Sequence, residues 1–239
     1  MTTPKTIVII LLAAGALALS AAAKVFWAWP AARGHAVLET TANWKTIYAS
    51  SVRINDGQGR LIILGCNEPL GAVMSKLRRA YAPCETLDNF RQNETMGWAR
   101  MREDGTIATL LALAPNAPEQ TMLFVLTQTP GDFDKSRLPP ATPRLRDPPP
   151  YPGSRVQTYL TGVESQVQLE IYDAVAAPEA IRQYYESTLR GQAWTRLDPY
   201  GAPASIAIYQ KGPALCALLV APSGAESTIT VLHKRLKVE

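Results

Sequence analysis

Apolar residues along this chain fall mainly into short alternating or continuous runs punctuated by Gly, Pro and Asn, and in two places recur every third or fourth position instead. The first pattern predicts strands and the second helices, because side chains alternate across a strand but return to one face of a helix each turn. In the N-terminal half, strands are predicted near Thr46–Ile54 and Arg60–Gly65, joined by "NDGQG", whose glycines should supply the positive backbone angles of a tight connection. A helix follows, with Asn67 as N-cap and Pro69 in the first turn. Leu70, Val73, Met74, Leu77 and Tyr81 form its apolar face, and Pro83 stops it. After a polar loop come strands near Gly97–Arg102, Thr106–Leu113 and Thr121–Thr127.

The same grammar returns in the C-terminal half. Strands are predicted near Val156–Thr161 and Gln166–Tyr172, then a helix from Pro178 to Arg190 closed by Gly191, then "SIAIYQ", "ALCALLV" and "TITVLHK". The stretch "LLALAPNAPEQT" (Leu110–Thr121) is echoed by "ALLVAPSGAEST" (Ala217–Thr228). One constant offset places Ala114, Pro115, Glu119 and Thr121 on Ala221, Pro222, Glu226 and Thr228, Gly105 on Gly212, and "LIIL" from Leu61 on "QLEI" from Gln168. One further residue brings Val73, Leu77 and Tyr81 onto Ile181, Tyr185 and Leu189. The expected fold class is α+β: two tandem ββαβββ modules, each an antiparallel sheet with one covering helix, after an N-terminal membrane helix. One helix hides one sheet face, so the other should be solvated or covered by something else.

The amino terminus supplies the cell address. Behind Lys5, an uncharged run from Ile7 to Ala23 would span about 25 Å as a helix, close to a bilayer core. It reads either as a cleaved secretory signal, with small residues such as Ala21 and Ala23 at the cleavage site, or as a retained anchor. Phe26, Trp27 and Trp29 favour the anchor, being rings that settle at a membrane interface. The expected organisation is 1–29 signal or anchor, 30–43 stalk, 44–128 first repeat, 129–154 linker and 155–239 second repeat. The linker holds eight prolines between Pro130 and Pro152 and reads as a semi-rigid spacer, the alternative being a polyproline-type recognition ligand for an aromatic groove. The chain is expected in the inner membrane facing the periplasm, or free in the periplasm after cleavage.

Composition changes this picture little. A formal charge of +4 spread over 24 basic and 20 acidic residues, with no basic block longer than "HKRLK", does not imply a nucleic-acid partner. Cys66 and Cys84 bracket the first helix, and a disulfide closing that loop would contribute roughly 3 kcal/mol; two buried thiols are the alternative. Cys216, inside "ALCALLV", reads as core, and none of the three has a His nearby in sequence. The two histidines, His35 and His233, lie far apart, which argues against His catalysis or a His metal site. No catalytic, cofactor or metal residues are expected. "NET" at Asn93–Thr95 matches a glycosylation acceptor, meaningful only in a eukaryotic secretory pathway. Tyr184, Tyr185 and Trp194 read either as a helical core face or as an aromatic contact patch for a partner.

The phrase "PEAIRQYYESTLRGQAW" resembles a pattern in many bacterial secreted or membrane-anchored proteins: a Pro-Glu helix start, an aromatic-Tyr pair, a Leu and a Gly-Trp pair. Here Ala193 stands where Gly is usual and Tyr184 where Phe is common. The resemblance covers about 80 residues of the second repeat and implies an envelope domain with no assigned reaction. The functional expectation is a non-enzymatic envelope adaptor or secretion-apparatus accessory, presenting two small domains to envelope proteins of a multi-subunit complex. A periplasmic carrier of a lipid or small apolar ligand is the alternative, and an enzyme the third.

Overall fold

The computed structural model describes residues 44–114, 120–197 and 206–235. Among the described residues, twelve strands form antiparallel ladders in the hydrogen-bonded orders β3-β4-β5-β6-β2-β1 and β7-β8-β12-β11-β10-β9. They are β1 Lys45–Ile54, β2 Gly57–Cys66, β3 Glu85–Gln92, β4 Met96–Glu103, β5 Thr106–Leu113, β6 Thr121–Gln128, β7 Arg155–Gly162, β8 Val167–Ala174, β9 Thr195–Leu197, β10 Ile206–Lys211, β11 Ala214–Ser223 and β12 Glu226–Arg235. Three short helices accompany them: α1 Leu70–Ala80, α2 Pro130–Ser136 and α3 Pro178–Gly191.

This corrects the expected fold class. Over the described residues the chain is mostly antiparallel sheet, 54% strand against 18% helix, and not a tandem of ββαβββ modules. Two strands escape the sequence pattern. β3 is mostly polar, with Phe90 packed against the core, and is held to β4 by Asp88–Arg100 and Glu85–Arg102 ion pairs, as befits an edge strand guarded by charge. β9 is only three residues long. The expected membrane helix lies outside the described residues; among those described, no helix is long and apolar enough to cross a membrane.

The chain forms two compact units, the first comprising 44–51 and 57–134, the second 52–56 and 135–235. The first is ordered β3-β4-β5-β6-β2-β1 and the second β9-β10-β11-β12-β8-β7, one order written twice. Registers agree as well: Leu61 pairs with Leu126 and Leu64 with Leu123, while Gln168 pairs with His233 and Ile171 with Thr230, each position displaced by the offset read from the sequence. The hairpin turns agree less closely. Asp104 and Gly105 turn the first with φ of 46° and 76°, whereas Gly212 and Pro213 turn the second, so Gly212 stands structurally on Asp104.

In the first unit, α1 lays Leu70, Val73, Met74, Leu77 and Tyr81 onto Ile62, Leu64, Met101, Leu110 and Val125. Helix and sheet approach closely because β4 offers Gly97 beneath Met74, where a Cβ would collide with the thioether. The N-cap is Pro69, not Asn67, and its carbonyl takes the Ala72 and Val73 amides. Of the two states expected for the opposite sheet face, solvated or covered, it takes the covered one at Ile63, Leu111 and Phe124, which are buried.

In the second unit, α3 places Ile181, Tyr185 and Leu189 over Tyr172, Cys216, Leu218, Ile229 and Val231. Its far face is likewise buried at Leu169, Ile171 and Leu232. Two expectations about left-handed residues are corrected. The β1–β2 turn takes its positive φ at Asn55 (52°), not at the glycines of "NDGQG". The left-handed residue behind α3 is Ala193 (64°), not Gly191, which is still helical.

Candidate functional site

The polar groups most deeply committed in this molecule lie in the second unit, where the Pro-rich segment meets the sheet. Glu170 sits mid-strand in β8 and is 0% exposed. A buried carboxylate is costly unless its oxygens are hydrogen-bonded. Glu170 accepts from the Arg144 amide at 2.7 Å, the Leu145 amide at 2.9 Å and the Tyr172 hydroxyl at 2.5 Å. Burial, then the Glu170 hydrogen bond and charge, hold the Tyr172 phenol protonated well above its ordinary range. A Glu within "QLEIYDA", otherwise an apolar strand, was a legible signal that a partner had to exist.

The partner is the segment expected to be a spacer. It runs across the second unit as a strap whose positions are anchored one after another. The Arg144 guanidinium reaches Asp56 Oδ1 at 2.5 Å and the Asn55 carbonyl at 3.2 Å, and lies over the Tyr159 ring. Leu145 inserts into the core with Tyr185, Leu189 and Trp194. Asp147 accepts from Trp194 Nε1 at 3.1 Å and pairs with Lys211 at 3.5 Å. The Pro150 carbonyl accepts from the Tyr184 hydroxyl at 3.2 Å, and Tyr151 meets the Tyr184 ring edge-on at 5.1 Å. Asn55 fixes the strap's start: its Nδ2 donates to Ser136 O at 2.7 Å, and its Oδ1 accepts the Tyr159 amide at 2.8 Å.

A second arrangement gathers chemistry-bearing side chains. Cys216 and His233 are directly paired across β11 and β12, correcting the expectation that no His approaches a cysteine. The two-residue turn at Gly224 and Ala225 sets that register, and counting back along the hairpin would have revealed it. Asp147 acts electrostatically on both groups, and the Trp194 ring meets His233 edge-on at 6.1 Å. The residue types are those of a thiol triad, but the electrostatics are not. Burial pushes the Cys216 thiol up to about 12, Asp147 adding to the rise, so no thiolate forms at neutral pH. Burial also lowers the His233 pKa, opposed by Asp147 and helped by Arg235, which leaves the imidazole neutral. An activated Cys–His pair would need the opposite shifts.

The other sequence-derived candidates are placed as follows. Tyr185 is fully buried and Trp194 is 4% exposed, both in the core, while Tyr184 is half-buried against the strap. Cys66 and Cys84 stand as thiols, the first buried and the second half-buried against the core of the first unit, and burial raises the pKa of each. Asn93 turns the exposed β3–β4 hairpin, its Oδ1 taking the Thr95 and Met96 amides. Phe26, Trp27, Trp29 and His35 lie outside the described residues. Among the described residues His, Cys, Asp and Glu form no cluster of three or more that could hold a metal ion. Searches of protein-family models, of curated proteins and of solved structures find no match to this chain.

Proposed function

We propose that this chain is a non-enzymatic cell-envelope adaptor, brought to the membrane by its N-terminal apolar segment and presenting two β-rich units for protein–protein assembly. The observation that carries the reading is the repeated strand order with its shared register, which supplies one docking scaffold twice on one chain. The address is argued from the uncharged Ile7–Ala23 run alone. Support also comes from the state of the one Cys–His–Asp grouping, whose thiol is buried and protonated. The filled helix–sheet interfaces, with Tyr172 and Tyr185 wholly enclosed, weigh against a carrier that would need ligand volume there. Large exposed apolar side chains among the described residues are Leu138, Val163 and Val175, scattered singly, so partner contacts are to be sought at polar or backbone groups.

The deciding experiment is gentle extraction of the tagged full-length protein from its own membranes, followed by native mass measurement of the intact complexes. The adaptor reading expects stoichiometric protein partners, lost when the Ile7–Ala23 segment is replaced by a cleavable signal if anchoring is required. A lone chain carrying one reproducible small-molecule mass would overturn it in favour of a carrier.

A further inference from the structure

We propose that the second unit contains a recognition site for an extended peptide segment, occupied in this chain by its own strap. The kind of ligand follows from what the site reads. Glu170 takes two consecutive backbone amides, one on each carboxylate oxygen, and fixes the direction and depth of the segment. The core opening between α3 and the ladder accepts one apolar side chain, filled by Leu145, which is 3% exposed. Two residues on, Trp194 Nε1 and Lys211 receive a carboxylate, that of Asp147. Beyond it, the Tyr184 hydroxyl and ring take a proline carbonyl and an aromatic side chain.

The ligand class is therefore an extended segment with an apolar anchor, an acidic residue two positions later and prolines after it. Prolines suit such a ligand because they hold it extended and lower the entropy lost on docking. A strap tethered at both ends competes at an effective concentration on the order of millimolar, so the site is closed to weak ligands until the strap is displaced. This names a ligand class for the adaptor reading and is tested without membranes or partner proteins, so the two stand or fall separately.

The test uses the full-length chain and a synthetic peptide spanning 142–152, TPRLRDPPPYP. The probe is titrated into wild type and into a strap-weakened double variant, Leu145→Ala with Asp147→Asn, whose fold is checked by circular dichroism and thermal melting. Wild type is expected to show no binding up to about millimolar peptide, and the variant saturable binding. Adding Glu170→Gln to the variant should weaken that binding about tenfold or more, since the nitrogen that replaces one carboxylate oxygen then faces a backbone amide donor. A scrambled peptide should not bind either protein. A folded double variant that takes up no peptide overturns the proposal. If the double variant does not fold, hydrogen exchange of wild type decides: Arg144 and Leu145 amides that exchange through a local opening, faster than the β8 and β12 amides beside them, uphold the site. Exchange of those amides only on global unfolding makes the strap plain core, and overturns it.

Discussion

The Trp194 amide donates to the Leu189 carbonyl at 2.9 Å, bridging the end of α3 across Ala193, which is held at φ 64°. With the Ala193 amide on the Arg190 carbonyl at 3.1 Å, this is the two-bond helix stop that normally uses glycine. A left-handed alanine costs roughly 1–2 kcal/mol, partly offset because glycine gives the unfolded chain more freedom. Ala193→Gly is therefore expected to stabilise the protein by about 0.5–1 kcal/mol, read as a higher urea midpoint with an unchanged slope. At Gly191, which is helical, the opposite change is the favourable one: Gly191→Ala should stabilise by about 0.5–1 kcal/mol.

Gly97 and Met74 form a second matched pair. Gly97→Ala forces a methyl group into the buried thioether and should cost about 1–3 kcal/mol. Met74→Ala alone should cost about 2–5 kcal/mol through the cavity it leaves. Because the new methyl occupies part of that cavity, the double variant should lose clearly less than the sum. Additive losses in denaturant melts would show that the two side chains do not compete for one space.

The three cysteines should react in a fixed order. Cys84 is half-buried and should be alkylated first in the native protein, with Cys66 and Cys216 protected. At pH 8, a thiol with its pKa near 12 holds about 10³-fold less thiolate than an ordinary cysteine, so Cys216 should label on the timescale of unfolding. Mass mapping after a timed pulse of iodoacetamide measures this. Failure of Cys84 and Cys66 to label together, reversed by reductant, would reveal a disulfide in the isolated protein.

His233 makes stability depend on pH. Its pKa is lowered in the folded chain, so below the unfolded value of about 6.5 the unfolded chain binds the proton more readily. Stability from this source is intact above that pH and falls as the solution is acidified towards the lower folded value. Replacing His233 by Gln should remove this part of the slope, which sets in as the pH falls below about 6.5, and leave the carboxylate contribution. Melting temperatures of both proteins below that pH test it; parallel curves would contradict the assignment.

How far the sequence could be read depended on whether an element announces itself locally. The α1 face was legible to the residue because a helix repeats its burial every turn, and all five of its apolar positions are buried. The repeated hairpins were legible because their strands are apolar on both faces. β3 was not, since its one core contact, Phe90, sets no alternating pattern and its ion pairs are made with Arg100 and Arg102 on another strand. Left-handed positions were assigned to Gly by propensity, yet Asn55 takes one because its side chain is held at both ends by distant backbone groups. The strap was read from its prolines as a spacer, and the contacts that contradict this are made by Arg144, Leu145 and Asp147 between them. Cys216 and His233 were separated by an unread hairpin register, though the turn at Gly224 encoded it.

Asn55 also dictates an order of events on the ribosome. Its partners are Ser136, Arg144 and Tyr159, the last lying 104 positions further along. At about 5–20 residues per second, the tip of the first hairpin waits roughly 5–20 s for Tyr159 to be synthesised after its own residues are made. During that interval a buried amide of the finished protein is bare to water and to chaperones, and it stays so even after Gln128 completes the strands of the ladder β3-β4-β5-β6-β2. The nascent chain therefore carries an unfinished corner, a place where holding factors could act and where a premature stop would leave a recognisable defect.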